Sequence, residues 1–323
     1  MLDQYGRVIN YLRISVTDRC NLRCCYCMPE GVQDVGMKNI LTFEEIWEIV
    51  RTGVSLGITH IRITGGEPLV RKGCVDLIRG IREIPGVETI TMTTNGVLLG
   101  NYAKQLKEVG VDSVNISLDT LDPEEFYKIT GKQELQEVLA GIRAAKTAGL
   151  QVKLNAVNRK ELDPLPLVRY AQKENLPLRF IEMMPVGYGK KYVGRSNEEL
   201  RKTLATVCGK PECITNREEL SRMGSGPAVY YRFSDLKVPV GFISAIHGKF
   251  CDTCNRIRLT AEGYLKLCLC YDKGADLRRA LREGEKENLR TIMEETIFQK
   301  PAAHCFEHPE EMTETHEMIK IGG

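Results

Sequence analysis

Cys20, Cys24, Cys25 and Cys27 fall within eight residues, and Cys251, Cys254, Cys268 and Cys270 form a second group. Thiolates bind zinc and iron tightly, and in a reducing compartment clustered thiols point to metal or redox chemistry, not to a disulfide framework. A structural zinc site closes on four protein ligands, most often from two Cys-x2-Cys pairs. The first group instead reads Cys-x3-Cys-x2-Cys, with Cys25 beside it and directed elsewhere. Three thiolates suit three corners of a cubane iron–sulfur cluster and leave the fourth iron open to a small molecule. In the second group, Cys-x2-Cys-x13-Cys-x-Cys could close a four-thiolate zinc site. It is a poor zinc spacing, since its last pair departs from the Cys-x2-Cys pairs from which zinc sites are usually built. Cys74, Cys208, Cys213 and Cys305 are scattered and read as buried structural thiols.

A further set is basic. Arg13 and Arg62 alternate with Ile14, Ile61 and Ile63, while Lys153 and Arg179 sit in later strand-like runs. Arg256 and Arg258 are two apart, on one face if that stretch is extended. Charge in the middle of parallel strands is costly unless something binds it. Guanidinium forks pair with phosphate oxygens, so cations converging on one mouth point to an anionic ligand such as a triphosphate. The chain has no Gly-x4-Gly-Lys-Ser/Thr loop, which excludes the standard GTPase way of holding one.

These residues need a scaffold, and the local patterns describe it. Tyr11–Val16, His60–Thr64, Thr89–Thr93, Ser113–Ser117, Gln151–Asn155 and Leu178–Glu182 read as strands, rich in Ile, Val and Thr. Helical patterns cover Thr42–Val50, with Thr42 as cap and Glu45 three on, then Cys74–Glu83, Asn101–Val109, Glu134–Ala148 and Asp163–Glu174. The rhythm predicts an α/β fold, a parallel sheet wound as a partial (βα)6 TIM-like barrel, short of the eight units that close one. Unusual residues follow the strands: the first cysteines, then Thr64–Pro68, Thr93–Gly96, Ser117–Asp119, Asn155 and Glu182–Pro185. Sites in such folds form at the carboxyl ends of strands. Beyond Pro185 the rhythm breaks, with a helix expected near Glu198–Val207 and strands at Val229–Phe233 and Val240–Ile246. Two parts follow, 1–185 and 186–323, the second packed on the first.

A net charge of +2 supplies no broad field for a nucleic acid. No apolar run is long enough to cross a membrane, and the first residues lack a signal-peptide core. A cytoplasmic protein with neither a membrane nor a nucleic-acid partner is expected.

Cys20-x3-Cys24-x2-Cys27, with Tyr26 before the last cysteine, resembles the signature of the radical S-adenosylmethionine (radical SAM) superfamily. Gly65-Gly66-Glu67-Pro68 resembles its second motif. The second cysteine group with Arg256 and Arg258, read with Thr17-Asp18-Arg19 and the final Gly322-Gly323, resembles the GTP 3′,8-cyclase family of molybdenum cofactor biosynthesis. That resemblance runs from about Arg13 to the last residue. It implies S-adenosyl-L-methionine and two [4Fe–4S] clusters, one on Cys20, Cys24 and Cys27 and one on Cys251, Cys254 and Cys268. Cofactor contacts are implied for Tyr26, Gly66, Glu67, Ser117 and Met184. GTP contacts are implied for Arg13, Arg62, Thr93, Lys153, Arg256 and Arg258. The last two arginines, the first cysteines, and Gly322 and Gly323 on a tail reaching the site would be catalytic. His60 stands where the family often has Lys, which implies a weaker or pH-dependent phosphate contact. The implied reaction turns GTP into (8S)-3′,8-cyclo-7,8-dihydroguanosine 5′-triphosphate with an external electron donor, and hands the product to a cyclic pyranopterin monophosphate synthase. Homodimer formation stays open. Two other readings stand beside it: a radical SAM enzyme that modifies peptides with an auxiliary cluster, and a zinc-stapled binding module.

Overall fold

Six parallel strands lie side by side in chain order: β1 (Tyr11–Ser15), β2 (His60–Thr64), β3 (Thr89–Thr94), β4 (Ser113–Ser117), β5 (Gln151–Asn158) and β6 (Leu178–Glu182). They come from a computed structural model that describes residues 1–31, 35–192, 194–224, 226–284 and 286–322. Each strand is followed by helix, as the sequence pattern predicts. The helix at Phe43–Ser55 opens on the expected capping box, Thr42 with Glu45. Within this half the helix Pro123–Thr130 was not expected; Asp122 caps it and Pro123 occupies its first turn.

The strands alternate sharply although they are parallel. Leu12, Ile14, Ile61, Ile63, Ile90, Met92, Val114, Ile116 and Leu154 are buried in one apolar core with the helices. Arg13, Arg62, Thr93, Ser117 and Asn155 instead line a cavity. A parallel sheet covered on both faces reads as continuous apolar runs. Here one face packs against helices and the other is kept polar for a ligand.

The C-terminal region does not form a separate layer. It supplies β7 (Pro211–Cys213), β8 (Val229–Phe233), β9 (Val240–Ile243), β10 (Arg256–Leu259), β11 (Tyr264–Lys266) and β12 (Gly274–Asp276). β9 pairs parallel with β6, and β8 and β7 follow antiparallel. β10 pairs parallel with β1 at the opposite edge, followed by β11 and β12. The result is one 12-stranded sheet, ordered β12-β11-β10-β1-β2-β3-β4-β5-β6-β9-β8-β7. Among the described residues no helix is long and apolar enough to cross a membrane.

Candidate active site

The polar face encloses a cavity of about 390 Å³ into which both cysteine groups open. Cys20, Cys24 and Cys27 line it on the loop after β1. That loop is pinned by Arg23 and Cys25, whose amides donate to the carbonyls of Thr130 and Ile129 at the end of the unforeseen helix. Asn95 Nδ2 donates to Asn21 Oδ1 at 2.7 Å and reaches the Cys20 sulfur at 3.7 Å. Cys25 points away, 3.5 Å from Arg159 Nη1, as the spacing implied.

The glycine motif packs directly on this loop. Gly66 and Glu67 donate their amides to the Thr17 and Arg19 carbonyls at 2.7 and 2.9 Å. A Cβ on Gly66 would lie 2.3 Å from the Arg19 oxygen, and one on Gly65 2.7 Å from the Thr17 oxygen, so only glycine fits either place. Gly66 lines the cavity. Glu67, expected to touch the cofactor, is fully buried behind it. Its carboxylate accepts from the amides of Leu69 and Asn95 and from the Thr94 hydroxyl, so it shapes the loops. Burial raises it to about 7 against those three donors.

Tyr26, Ser117 and Met184 line the cavity as expected. The Tyr26 hydroxyl donates to Asp119 Oδ2 at 2.8 Å, and Asp119 Oδ1 accepts from the Val157 amide at 2.8 Å. Sequence reading placed Asp119 at a strand end without this task.

Cys251, Cys254 and Cys268 line the same cavity. Arg7, which sequence reading missed, anchors this wall. It pairs with Asp3 at 2.6 Å and donates to the carbonyls of Cys251, Ala302 and Pro301. Burial opposes ionisation of Cys254, but Lys300, the Arg256 amide and guanidinium, and Arg7 outweigh it and hold the thiol below its usual range. Lys300 is buried in the cavity wall and was also missed; nothing in its sequence neighbourhood marks it. Cys270 is fully buried outside the cavity wall, against Cys305, apart from Cys251, Cys254 and Cys268. Of the scattered cysteines, Cys74, Cys208 and Cys305 are buried as expected, whereas Cys213 is exposed on β7.

The residues present fit two incomplete cubane sites. Burial, and then the charges of neighbouring thiols and Asp119, push Cys24 far up, and burial with Cys20 and Glu317 puts Cys27 at about 12. Strongly positive metal would hold such thiols ionised.

Between the cysteine groups the wall is cationic. Arg13 is register partner of Arg62 on one side and of Arg258 on the other. Burial, with Arg258 and Arg62, lowers Arg13 strongly, and burial leads in bringing Arg258 to about 10. Arg256 and Arg179 also line the cavity, Arg179 braced by Asn155 at 2.9 Å and Asn115 at 2.6 Å. Arg62 Nη1 reaches Thr93 Oγ1 at 3.4 Å. Lys153 departs from expectation: its ammonium donates to the Met223 carbonyl at 2.8 Å, outside the cavity lining. His60 is also outside the cavity lining, stacked on cavity-lining Tyr11 with Nδ1 at 2.8 Å from the Thr59 hydroxyl.

The C-terminal tail enters this wall. Met318 and Ile319 line the cavity, and the Ile319 amide bonds the Cys27 sulfur. Arg258 Nη1 donates to the Gly322 carbonyl at 2.5 Å. Gly323 lies outside the described residues.

Comparison with known proteins agrees with this geometry. The profile of the radical SAM superfamily matches residues 14–162, and that of Molybdenum Cofactor Synthesis C matches 176–306. A GTP 3′,8-cyclase of Clostridium perfringens (strain SM101 / Type A) is 43% identical over 330 residues, covering all of both chains. One from Peptoclostridium acidaminophilum is 45% identical over 336 residues, covering 100% of this chain and 98% of the relative. Among solved structures, Streptococcus suis SuiB bound to S-adenosylmethionine shares the fold, with TM-score 0.67 and 13% identity over 97% of this chain and 77% of that one. Native anSMEcpe with bound AdoMet does so with TM-score 0.58 and 18% identity over 92% and 82%. With full-length relatives at this identity and both cysteine sites open to one cavity, the chain belongs to the GTP 3′,8-cyclase family, the radical SAM enzymes of molybdenum cofactor biosynthesis.

Proposed function

We propose that this chain cyclises GTP to (8S)-3′,8-cyclo-7,8-dihydroguanosine 5′-triphosphate in one cavity served by two [4Fe–4S] clusters. The observation that carries the reading is the row of arginines between two three-cysteine sites. Cys20, Cys24 and Cys27 would hold the cluster that, with S-adenosylmethionine bound, supplies a one-electron route to a 5′-deoxyadenosyl radical. Tyr26, Gly66, Ser117 and Met184 bind that cofactor. Cys251, Cys254 and Cys268 would hold the second cluster at the guanine end of the substrate.

Arg13, Arg62, Arg256 and Arg258 grip the triphosphate and so hold the ribose C3′–H toward the first site. Thr93 supports Arg62, and Lys153 and Glu67 act by shaping the loops around the grip. The sheet on one side and the tail on the other keep water from a reactive centre. Electrons come from an external donor, and the work is done in the cytoplasm. The two parts, 1–185 and 186–323, share the labour: the first supplies the radical site with Arg13 and Arg62, and the second adds the other three cysteines with Arg256 and Arg258.

The test is anaerobic metal analysis followed by product mass spectrometry with GTP and a strong reductant. Iron and sulfide for two clusters, with zinc absent, are expected. Cys251→Ser is expected to cleave S-adenosylmethionine without cyclising GTP, and Cys20→Ser to do neither. Normal cyclisation by Cys251→Ser would remove the second site from substrate binding.

A further inference from the structure

Cys270 and Cys305 take no part in either three-cysteine site, yet their sulfurs are 2.9 Å apart. Two unbonded sulfurs at this distance are in tight contact, about 0.9 Å beyond a covalent S–S bond. The Cys305 amide also donates to the Cys270 sulfur at 3.2 Å, and Tyr271 bonds the Cys305 thiol. The pair belongs to a small apolar cluster of its own with Val186, Leu269, Phe306 and Ile321, apart from the main core. Its two strands of chain matter. Cys270 lies two residues beyond Cys268, and Cys305 lies between His304 and Phe306, which line the cavity. Ile321, in the same cluster, immediately precedes the tail residue that meets Arg258.

We propose that Cys270 and Cys305 form a reversible disulfide site, a dithiol oxidised by a small hydroperoxide. The two thiols and one hydroperoxide give one disulfide, one water and one alcohol (a second water for hydrogen peroxide itself). The O–O bond breaks, the S–S bond forms, the sulfurs lose two electrons, and the thiol protons end on the departing oxygens. A buried pair already in contact reacts as a unit once one sulfur is attacked, because its partner needs no search. The product staples the Cys268 loop to the 304–306 wall beneath the tail, without using any thiol of either cluster site. A thiol-reducing environment restores the open form.

The test uses anaerobically loaded protein treated with stoichiometric hydrogen peroxide, acid-quenched, alkylated in denaturant and digested without reductant. The expected result is a peptide joining Cys270 to Cys305, lighter than its two thiol peptides by two hydrogens, formed before iron content falls and reversed by dithiothreitol. Exposed Cys213 is the internal comparison. Cys305→Ser is expected to lose the cross-link while Cys270 is recovered unpaired. Recovery of Cys270 and Cys305 as free thiols after Cys213 has been oxidised would overturn the proposal. So would cross-links from either residue to Cys251 or Cys268 instead.

Discussion

Arg13 and Arg62 are register partners on adjacent parallel strands, their backbones about 4.8 Å apart. Arg258 takes the same level on the other side of Arg13. Like charges directly abreast repel, so nucleotide-free protein carries a cost that a triphosphate removes. Arg62→Met and Arg258→Met are therefore expected to weaken GTP binding by about tenfold or more, one charge-assisted contact each. Neither should lower the melting temperature of the nucleotide-free protein. Anaerobic calorimetry and thermal unfolding with and without GTP check both halves.

The tail gives a second expectation. The Gly322 carbonyl is held by Arg258, and the Ile319 amide by the Cys27 sulfur. Ending the chain at Ile321 keeps the second contact and removes the first. Iron content and S-adenosylmethionine cleavage should survive, while cyclised product per 5′-deoxyadenosine formed should fall by about tenfold or more, the worth of one charged hydrogen bond in placing substrate. Quantifying both products in one reaction decides it; an unchanged ratio would make the contact incidental.

Glu67 links the loops to pH. Its folded value of about 7 lies above the ordinary 4.5, with burial as the main cause. Between those values the folded chain keeps a proton that the unfolded chain has released, so stability falls as pH rises through the window and levels off above it. Glu67→Gln cannot titrate. It should be less stable throughout, since its amide faces the Asn95 amide donor, but the gap to the parent should narrow from pH 5 to pH 8. Melting temperatures of both proteins across that range test it; a constant gap would mean the carboxyl is ionised throughout.

Two glycines should respond oppositely to alanine. At Gly66 a methyl meets the Arg19 carbonyl carbon and oxygen, both backbone, so the Thr17–Arg19 turn must move. Gly66→Ala should cost roughly 3 kcal/mol or more and lower iron loading. Gly100, inside the helix Leu99–Glu108, has open space around it. Gly100→Ala should stabilise by about 0.5–1 kcal/mol with activity unchanged. Denaturant unfolding and iron assay on both variants provide the comparison.

The strands of the barrel half were legible because their signal is local. Ile14, Ile61 and Ile63 alternate with Arg13 and Arg62, and the structure turns the two sets to opposite faces. The first cysteine triplet was legible from spacing, whereas the second triplet and the tail were read from the family resemblance. The Pro123–Thr130 helix carries its own start signal in Asp122-Pro123-Glu124-Glu125, but at eight residues it is too short to show a sustained apolar period. Other features had no local trace. Pairing of β10 with β1 joins Tyr11 to Arg256, a choice made by edge geometry and not by either segment alone. Side-chain direction was lost for the same reason: Glu67 and Lys153 have the right type, but the donors of Asn95 and the carbonyl of Met223 capture them. Cys270 and Cys305 meet across 35 positions, a distance at which no motif is read.

The interleaved strand order also governs how the molecule is made. When β6 has left the ribosome, the six-stranded half still has two bare flanks, because β9 and β10 are encoded later. At roughly 5–20 residues per second, several more seconds pass before Leu259 emerges. Through that interval Tyr11–Ser15 and Leu178–Glu182 present open ladders to any neighbouring chain. Slowing synthesis between Glu182 and Leu259 lengthens the time these two edges stay open.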